Sequence, residues 1–389
     1  MLGLGAHRQA APPFPTPRPP RSNISQKPLS LFPVRTLWTI ALNNGLRTLA
    51  PPVVDGTHAF LPIEGDRLVA YDLATGTQTW IASIAMTARA AASADLLFVA
   101  GAQVLSALRV TDGSIAWQRP WPESLAAPLV WDNGWLVAAA SDGQVVAIRA
   151  SDGHEVWRRD IGSPAHAPPA LAADRVYVPT EDGRVVALRV DTGAPIWEHR
   201  LGGSASDVLA LDNRLYVGSR DNFFYCLGTE TGDEVWRVRT GGDVVGLPVA
   251  DEQNVYFVSL DNVLRAVRRN GNQQWKRPLK VRPTAGPIKA GDTLIVTAFE
   301  KSLPAFLRKD GTPAGEIAAG AEVAAAPHVI SIPAVYGPVV VVVTRDVAKG
   351  GAVIAQARAI DPPIAAEVRA LPNPVTFTPA GTSPTIPKR

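Results

Sequence analysis

The sequence predicts an all-β fold, a closed ring of repeated four-stranded sheets. Three observations predict it: a strand-turn-strand unit recurring at a nearly fixed interval, turn residues placed where hairpins need them, and a half-unit at each end of the repeat. The unit is clearest in Val145–Trp157, VVAIRASDGHEVW. Its residues alternate at the strand period of two, Asp152-Gly153 supplies a tight turn, and Trp157 follows four residues after the glycine.

Relatives of this unit are AYDLATGTQTW (Ala70–Trp80), ALRVTDGSIAW (Ala107–Trp117), ALRVDTGAPIW (Ala187–Trp197) and CLGTETGDEVW (Cys226–Trp236). AVRRNGNQQW (Ala266–Trp275) is one residue shorter, and AFLRKDGTPAG (Ala305–Gly315) has lost its tryptophan. From Trp38 to Trp275 successive tryptophans of the pattern stand 37 to 42 residues apart. A period near 40 with several short strands per unit is the signature of a β-propeller, each unit one blade.

In chain order, residues 1–33 are rich in proline and lack an alternating pattern, so they read as a tail or tether. Order is expected from Val34, where VRTLWTIALNNG resembles a fourth strand with no preceding strand and turn. From Pro51 the units follow one grammar. An inner strand often opens with proline (Pro52, Pro128, Pro169, Pro248, Pro287, Pro327), and a second strand follows. Then Asp142-Gly143, Asp182-Gly183, Asp221-Asn222 or Asp261-Asn262 provides a two-residue hairpin whose central residues need positive φ. The last unit, from about Ala319, lacks the outer strand that the start of the chain has in excess. Pairing the two ends closes the ring and removes exposed sheet edges, giving eight blades in one domain, 34–371. The alternative makes Ile364–Leu371 a private fourth strand, with seven blades plus extra strands. Residues 372–389, rich in proline and threonine, read as a C-terminal tail.

Turn and tryptophan belong together. The residues expected to dock blade on blade are Trp38, Trp80, Trp117, Trp157, Trp197, Trp236 and Trp275, with Gly76, Gly113, Gly153, Gly193, Gly232 and Gly271. Burying one indole removes roughly 150–250 Å² from water, an upper estimate of about 4–6 kcal/mol. Trp121, Trp131 and Trp135 lie outside this register and are expected to fill the adjacent sheet interface.

Composition narrows function. The net charge of +3 is spread along strands and turns without a basic run, which argues against nucleic acid. No segment approaches the ~20 apolar residues of a membrane-spanning helix. Cys226 stands where other units have alanine and has no partner for a disulfide. His7, His58, His154, His166, His199 and His328 lack metal-ligand spacing, and no serine sits in a nucleophile elbow. Hence no catalytic, cofactor-binding or metal-ligating residue is assigned. Polar residues near the starts of inner strands face the central channel or its rim; Arg47, Arg89, His166, Asp207, Asp243 and Arg282 are the candidates. Arg109, Arg149, Arg189 and Arg268 share one position in their units, a partial basic ring.

The recurring Ala-x-[Asp/Arg]-x-x-[Thr/Asp]-Gly-x-x-x-Trp resembles the pyrroloquinoline-quinone-type propeller repeat over about residues 34–361, a family that includes quinoprotein dehydrogenases and the outer-membrane assembly lipoprotein BamB. Only Asp72 keeps the motif's acidic residue; Arg109, Arg149, Arg189 and Arg268 replace it elsewhere. Similarity to BamB implies a non-catalytic, monomeric scaffold or adaptor, periplasmic or associated with the outer membrane, whose partner is a protein such as a β-barrel assembly component. No export signal is visible at the amino terminus, which keeps the cytoplasm as the alternative compartment. The alternative functions are a quinone-dependent dehydrogenase, with calcium, and a carbohydrate- or peptide-binding module.

Overall fold

Short apolar segments punctuated by Asp, Asn and Gly leave no room for helices, and among the described residues there are 33 strands and no helix. The computed structural model describes residues 29–41, 52–87, 89–332, 335–346 and 351–359. The tails expected over 1–28 and 372–389, and the alternative strand Ile364–Leu371, lie outside them.

The strands form eight antiparallel sheets arranged as an eight-bladed β-propeller. Blades 1 to 7 are four consecutive strands each, spanning 53–83, 91–120, 130–160, 170–200, 205–239, 244–278 and 288–318. Blade 8 is composite. Its inner position is shared by Glu322–Val323 and His328–Ile330, both paired with Val339–Arg345; Ala352–Arg358 follows, and the outermost strand is Val34–Ala41 from the other end of the chain. The register runs from Val34 opposite Arg358 to Ala41 opposite Ala352. The first strand thus occupies the outer edge of the last blade, and eight blades form, not seven.

The expected hairpins between second and third strands have positive φ at Gly143 (89°), Gly183 (88°), Asn222 (65°) and Asn262 (57°). Within each blade the small residue of the repeat pairs across the sheet with the tryptophan, as Ala147 with Trp157 and Cys226 with Trp236. The core consists of the layers between neighbouring blades. Phe60, Leu68 and Trp80 of blade 1, for example, pack on Leu97 and Leu108 of blade 2.

Seven of the eight gaps hold an indole built in one way. Each tryptophan reaches the next blade and donates its ring N–H to the backbone carbonyl just before that blade's outer turn. Trp80 donates to Val110 (2.7 Å), Trp117 to Ala150 (3.0 Å), Trp157 to Val190 (2.7 Å) and Trp197 to Thr229 (2.9 Å). Trp236 donates to Arg269 (2.9 Å), Trp275 to Arg308 (3.0 Å), and Trp38 of the composite blade to Leu73 (2.9 Å). The ring lies flat on the glycine of that turn: a Cβ on Gly153 would stand 2.6 Å from Trp117, and one on Gly193 2.6 Å from Trp157. Both glycines also have φ near +70°, which other residues resist.

The eighth gap, between blades 7 and 8, has Gly315 at the tryptophan position, opposite Ala305. Phe32 fills it, with its ring 2.6 Å from where a Gly315 Cβ would be, and Leu31 is fully buried beside it. The carbonyl of Leu29 accepts a 3.0 Å hydrogen bond from the Asp292 amide. Ordered packing therefore begins before Val34. Of the tryptophans outside the repeat, Trp121 is fully buried and Trp135 nearly so, in the layers on either side of blade 3.

Candidate functional site

The inner strands line the axis of the ring, and three polar side chains at their ends are close enough for one charge, that of Arg89, to act on the other two. Arg89 precedes the inner strand of blade 2, Asp207 lies on that of blade 5, and His328 opens that of blade 8. Water reaches Arg89, yet protein encloses it on most sides, as expected inside a channel. Burial pulls its guanidinium below its usual value, and the Asp207 charge opposes that shift. Asp207 is held above the ordinary carboxylate range by burial, with its own backbone amide and the Arg89 charge pulling the other way. His328 is pushed down to about 4, first by burial and second by Arg89, against a hydrogen bond to the Pro52 carbonyl. Its Nε2 is buried without a hydrogen-bond partner. The charge of Arg89, on blade 2, thus acts on a carboxylate of blade 5 and an imidazole of blade 8. At neutral pH this leaves a charged arginine, a carboxylate that ionises reluctantly and a neutral imidazole.

The other channel candidates are not drawn into this group. His166 is well exposed on the rim, with its Nε2 3.1 Å from Glu181. Asp243 is half-buried just before the blade 6 inner strand, and its carbonyl accepts from the Leu260 amide. Arg282 is exposed in the connection between blades 6 and 7. Arg47 lies outside the described residues. His328 was not among the candidates, although a signal existed: it follows Pro327, where the corresponding residues after Pro128, Pro169, Pro248 and Pro287 are Leu129, Ala170, Val249 and Ile288. Lys289, also missed, reaches from the blade 7 inner strand to the Ala250 carbonyl of blade 6 (2.6 Å).

The four arginines of the repeat sit on the rim that carries the outer turns. Arg149 is paired with Asp152 (2.9 Å) and Arg189 with Asp191 (3.0 Å), while Arg109 lies near enough to Asp112 to help lower that carboxyl. Cys226 is fully buried and its thiol is pushed up to about 12 by burial, so it is a core residue without thiolate character.

A family model described as outer membrane protein assembly factor BamB matches residues 35–130, 101–211 and 191–356, nearly the whole ring. The chain belongs to this PQQ-repeat family. No curated protein matches it in sequence. Among solved structures, the PQQ-repeat ring is similar to BamB from Moraxella catarrhalis (17% identity, 68% of this chain and 97% of that one, TM-score 0.53). It is also similar to the quinohemoprotein alcohol dehydrogenase of Comamonas testosteroni (13%, 83% and 76%, TM-score 0.66) and to the computationally designed Ika8 protein (12%, 81% and 97%, TM-score 0.66). At these identities the likeness is one of fold.

The dehydrogenase likeness raises the question of a quinone with a calcium ion. A hard cation needs several oxygen ligands at one place. Among the described residues no three His, Cys, Asp or Glu side chains converge on a common point. The one carboxylate in the axial group, Asp207, faces the positive charge of Arg89.

Proposed function

We propose that this PQQ-repeat propeller is a non-catalytic adaptor that holds partner proteins on a rigid face, in the periplasm or at the outer membrane of a bacterial envelope. The observation that carries the reading is the indole-on-glycine seam repeated in seven gaps, with Phe32 in the eighth. A ring stapled at every joint presents its turns in one fixed arrangement, and a preorganised surface loses little conformational entropy on binding. The family description, an assembly factor of the outer membrane, supports the compartment and a protein partner. The dehydrogenase reading draws on a similar ring; the axial group, with its one carboxylate set against the Arg89 charge, favours the adaptor.

The test is capture by the full chain from a bacterial envelope extract, followed by cross-linking and mapping of the joined peptides. A β-barrel assembly component cross-linked reproducibly to one face of the ring is the expected result. Failure to retain any envelope protein, with the ring shown to be folded, would overturn the reading.

A further inference from the structure

On the rim of the outer turns, where blades 5 and 6 meet, two open recesses adjoin. The first, about 570 Å³, is lined by Leu211, Arg214, Tyr216, Val235, Trp236 and Arg269, among others. The second, about 430 Å³, is lined by Gln253, Arg268, Arg269 and Asn270. Arg269 and Asn270 belong to both, so the recesses form one groove running around the Asn270 turn.

The outer turn beside this groove differs from those of blades 2, 3 and 4 for a reason visible in the repeat. Blades 2, 3 and 4 place Asp112, Asp152 and Asp191 in the outer turn, beside Arg109, Arg149 and Arg189. Blade 6 is one residue shorter there and has Asn270 instead. Among the described residues, neither Arg268 nor Arg214 has a carboxylate within ion-pair distance. Arg268 is exposed, and Arg214 spends one N–H on the Asn213 carbonyl (3.1 Å). Behind them Arg269 is held by Asp212 (2.5 Å) and the Asp251 carbonyl (2.9 Å), and Arg308 by Asp251 (2.6 Å). Lys289 nearby is lowered by burial first and then by the Arg308 charge, with Asp251 opposing and Arg269 adding to the shift. Two carboxylates are nearby: Asp212, which lines the groove and is taken up by Arg269, and the exposed Glu252 on the neighbouring turn. Val235, 45% exposed, and the edge of Trp236 supply an apolar wall.

We propose that this groove docks an acidic, extended segment of a partner protein, its carboxylates on Arg214 and Arg268 and an apolar side chain against Val235 and Trp236. The inference rests on the adaptor reading and names the partner's chemistry. Two unpaired guanidiniums suit carboxylates because the planar fork matches two oxygens at once. The adjoining apolar wall favours a peptide over a simple anion. Arg269 is committed to holding the turn, so it shapes the groove while the two free arginines recognise.

The probe is a fluorescein-labelled synthetic peptide of about ten residues, roughly 33 Å when extended, rich in Asp and Glu with leucine interspersed. Its binding to the full chain is followed by fluorescence polarisation. The expected result is saturable binding that weakens by about tenfold or more in the Arg214→Glu/Arg268→Glu double variant, with Arg268→Gln intermediate. It should also weaken when salt rises from about 0.1 M to about 1 M, as the Debye length falls from about 10 Å to about 3 Å. An unchanged melting temperature shows that the variants are folded. No binding to the wild type at low salt, or equal binding to the double variant, overturns the proposal. So does tighter arginine-dependent binding of inorganic pyrophosphate or duplex DNA. If the proposal falls while an envelope protein is still cross-linked to another face, the adaptor reading stands; if the wild type retains no envelope protein, that reading fails on its own.

Discussion

Phe32 lies over Gly315 in the one gap of the ring that has no indole, a phenyl ring from the start of the chain standing in for the missing tryptophan of blade 7. The N-terminal segment therefore closes the ring twice, as the outer strand Val34–Ala41 and as the filler of the adjacent seam. Phe32→Ala should cost about 2–4 kcal/mol, somewhat less than a fully buried phenylalanine because the ring is only half-buried. Urea unfolding measures it. A loss under about 0.5 kcal/mol, the size of an ordinary surface substitution, would show that the seam does not depend on this ring.

Trp157 carries both a buried ring and an N–H bonded to the Val190 carbonyl. Trp157→Ala should cost about 3–5 kcal/mol. Trp157→Phe retains much of the apolar area but leaves that carbonyl without its donor, so a smaller loss of about 1–2 kcal/mol is expected. If phenylalanine proves as costly as alanine, the ring's area is not what holds blade 3 to blade 4.

Gly153 and Gly162 have the same backbone angle, φ 74°, but different surroundings. A Cβ on Gly153 meets the Trp117 ring, whereas one on Gly162 meets nothing within 4 Å. Alanine at Gly162 should cost only the backbone strain, about 1–2 kcal/mol. At Gly153 displacement of the indole should add about 1–3 kcal/mol. Equal losses in paired denaturation curves would contradict the docking of ring on glycine.

His328 links stability to pH. Its pKa falls from 6.5 to about 4 on folding, so between those values the unfolded chain binds more protons than the folded one. Its contribution is complete above about pH 6.5 and is lost as pH falls toward 4, a swing on the order of 3 kcal/mol. Asp207, raised on folding, acts in the opposite sense in the acidic range, which is why the comparison is with a His328→Leu variant that retains Asp207 and Arg89. The variant should lose less stability than the wild type between pH 7 and pH 4.5. An NMR titration in which the His328 imidazole protonates near 6.5 in the folded protein would contradict the burial and the Arg89 effect together.

The parts of this molecule that were legible in advance are those the repeat writes at constant spacing. Indole, turn glycine and paired small residue recur in register because each seam repeats the same local geometry, so the blade number and the closing strand followed from counting half-units. Phe32 was not legible. It completes a seam with residues almost 300 positions away, and no local pattern marks a side chain whose partner is at the far end of the chain. At the axis, Arg89 and Asp207 stood out as polar residues at inner-strand starts, whereas His328 required comparing blades position by position. The groove was hidden for a related reason. Arg268 looked equivalent to Arg109, Arg149 and Arg189, and the difference lies in a neighbour, Asn270 in place of aspartate.

The central claim is that the ring serves as a docking surface and not as a redox centre. Titrating the full chain with pyrroloquinoline quinone and calcium, with dye reduction followed as alcohols or sugars are added, tests it most directly. The account predicts no saturable quinone binding and no substrate-dependent reduction; one-to-one binding with turnover would contradict it.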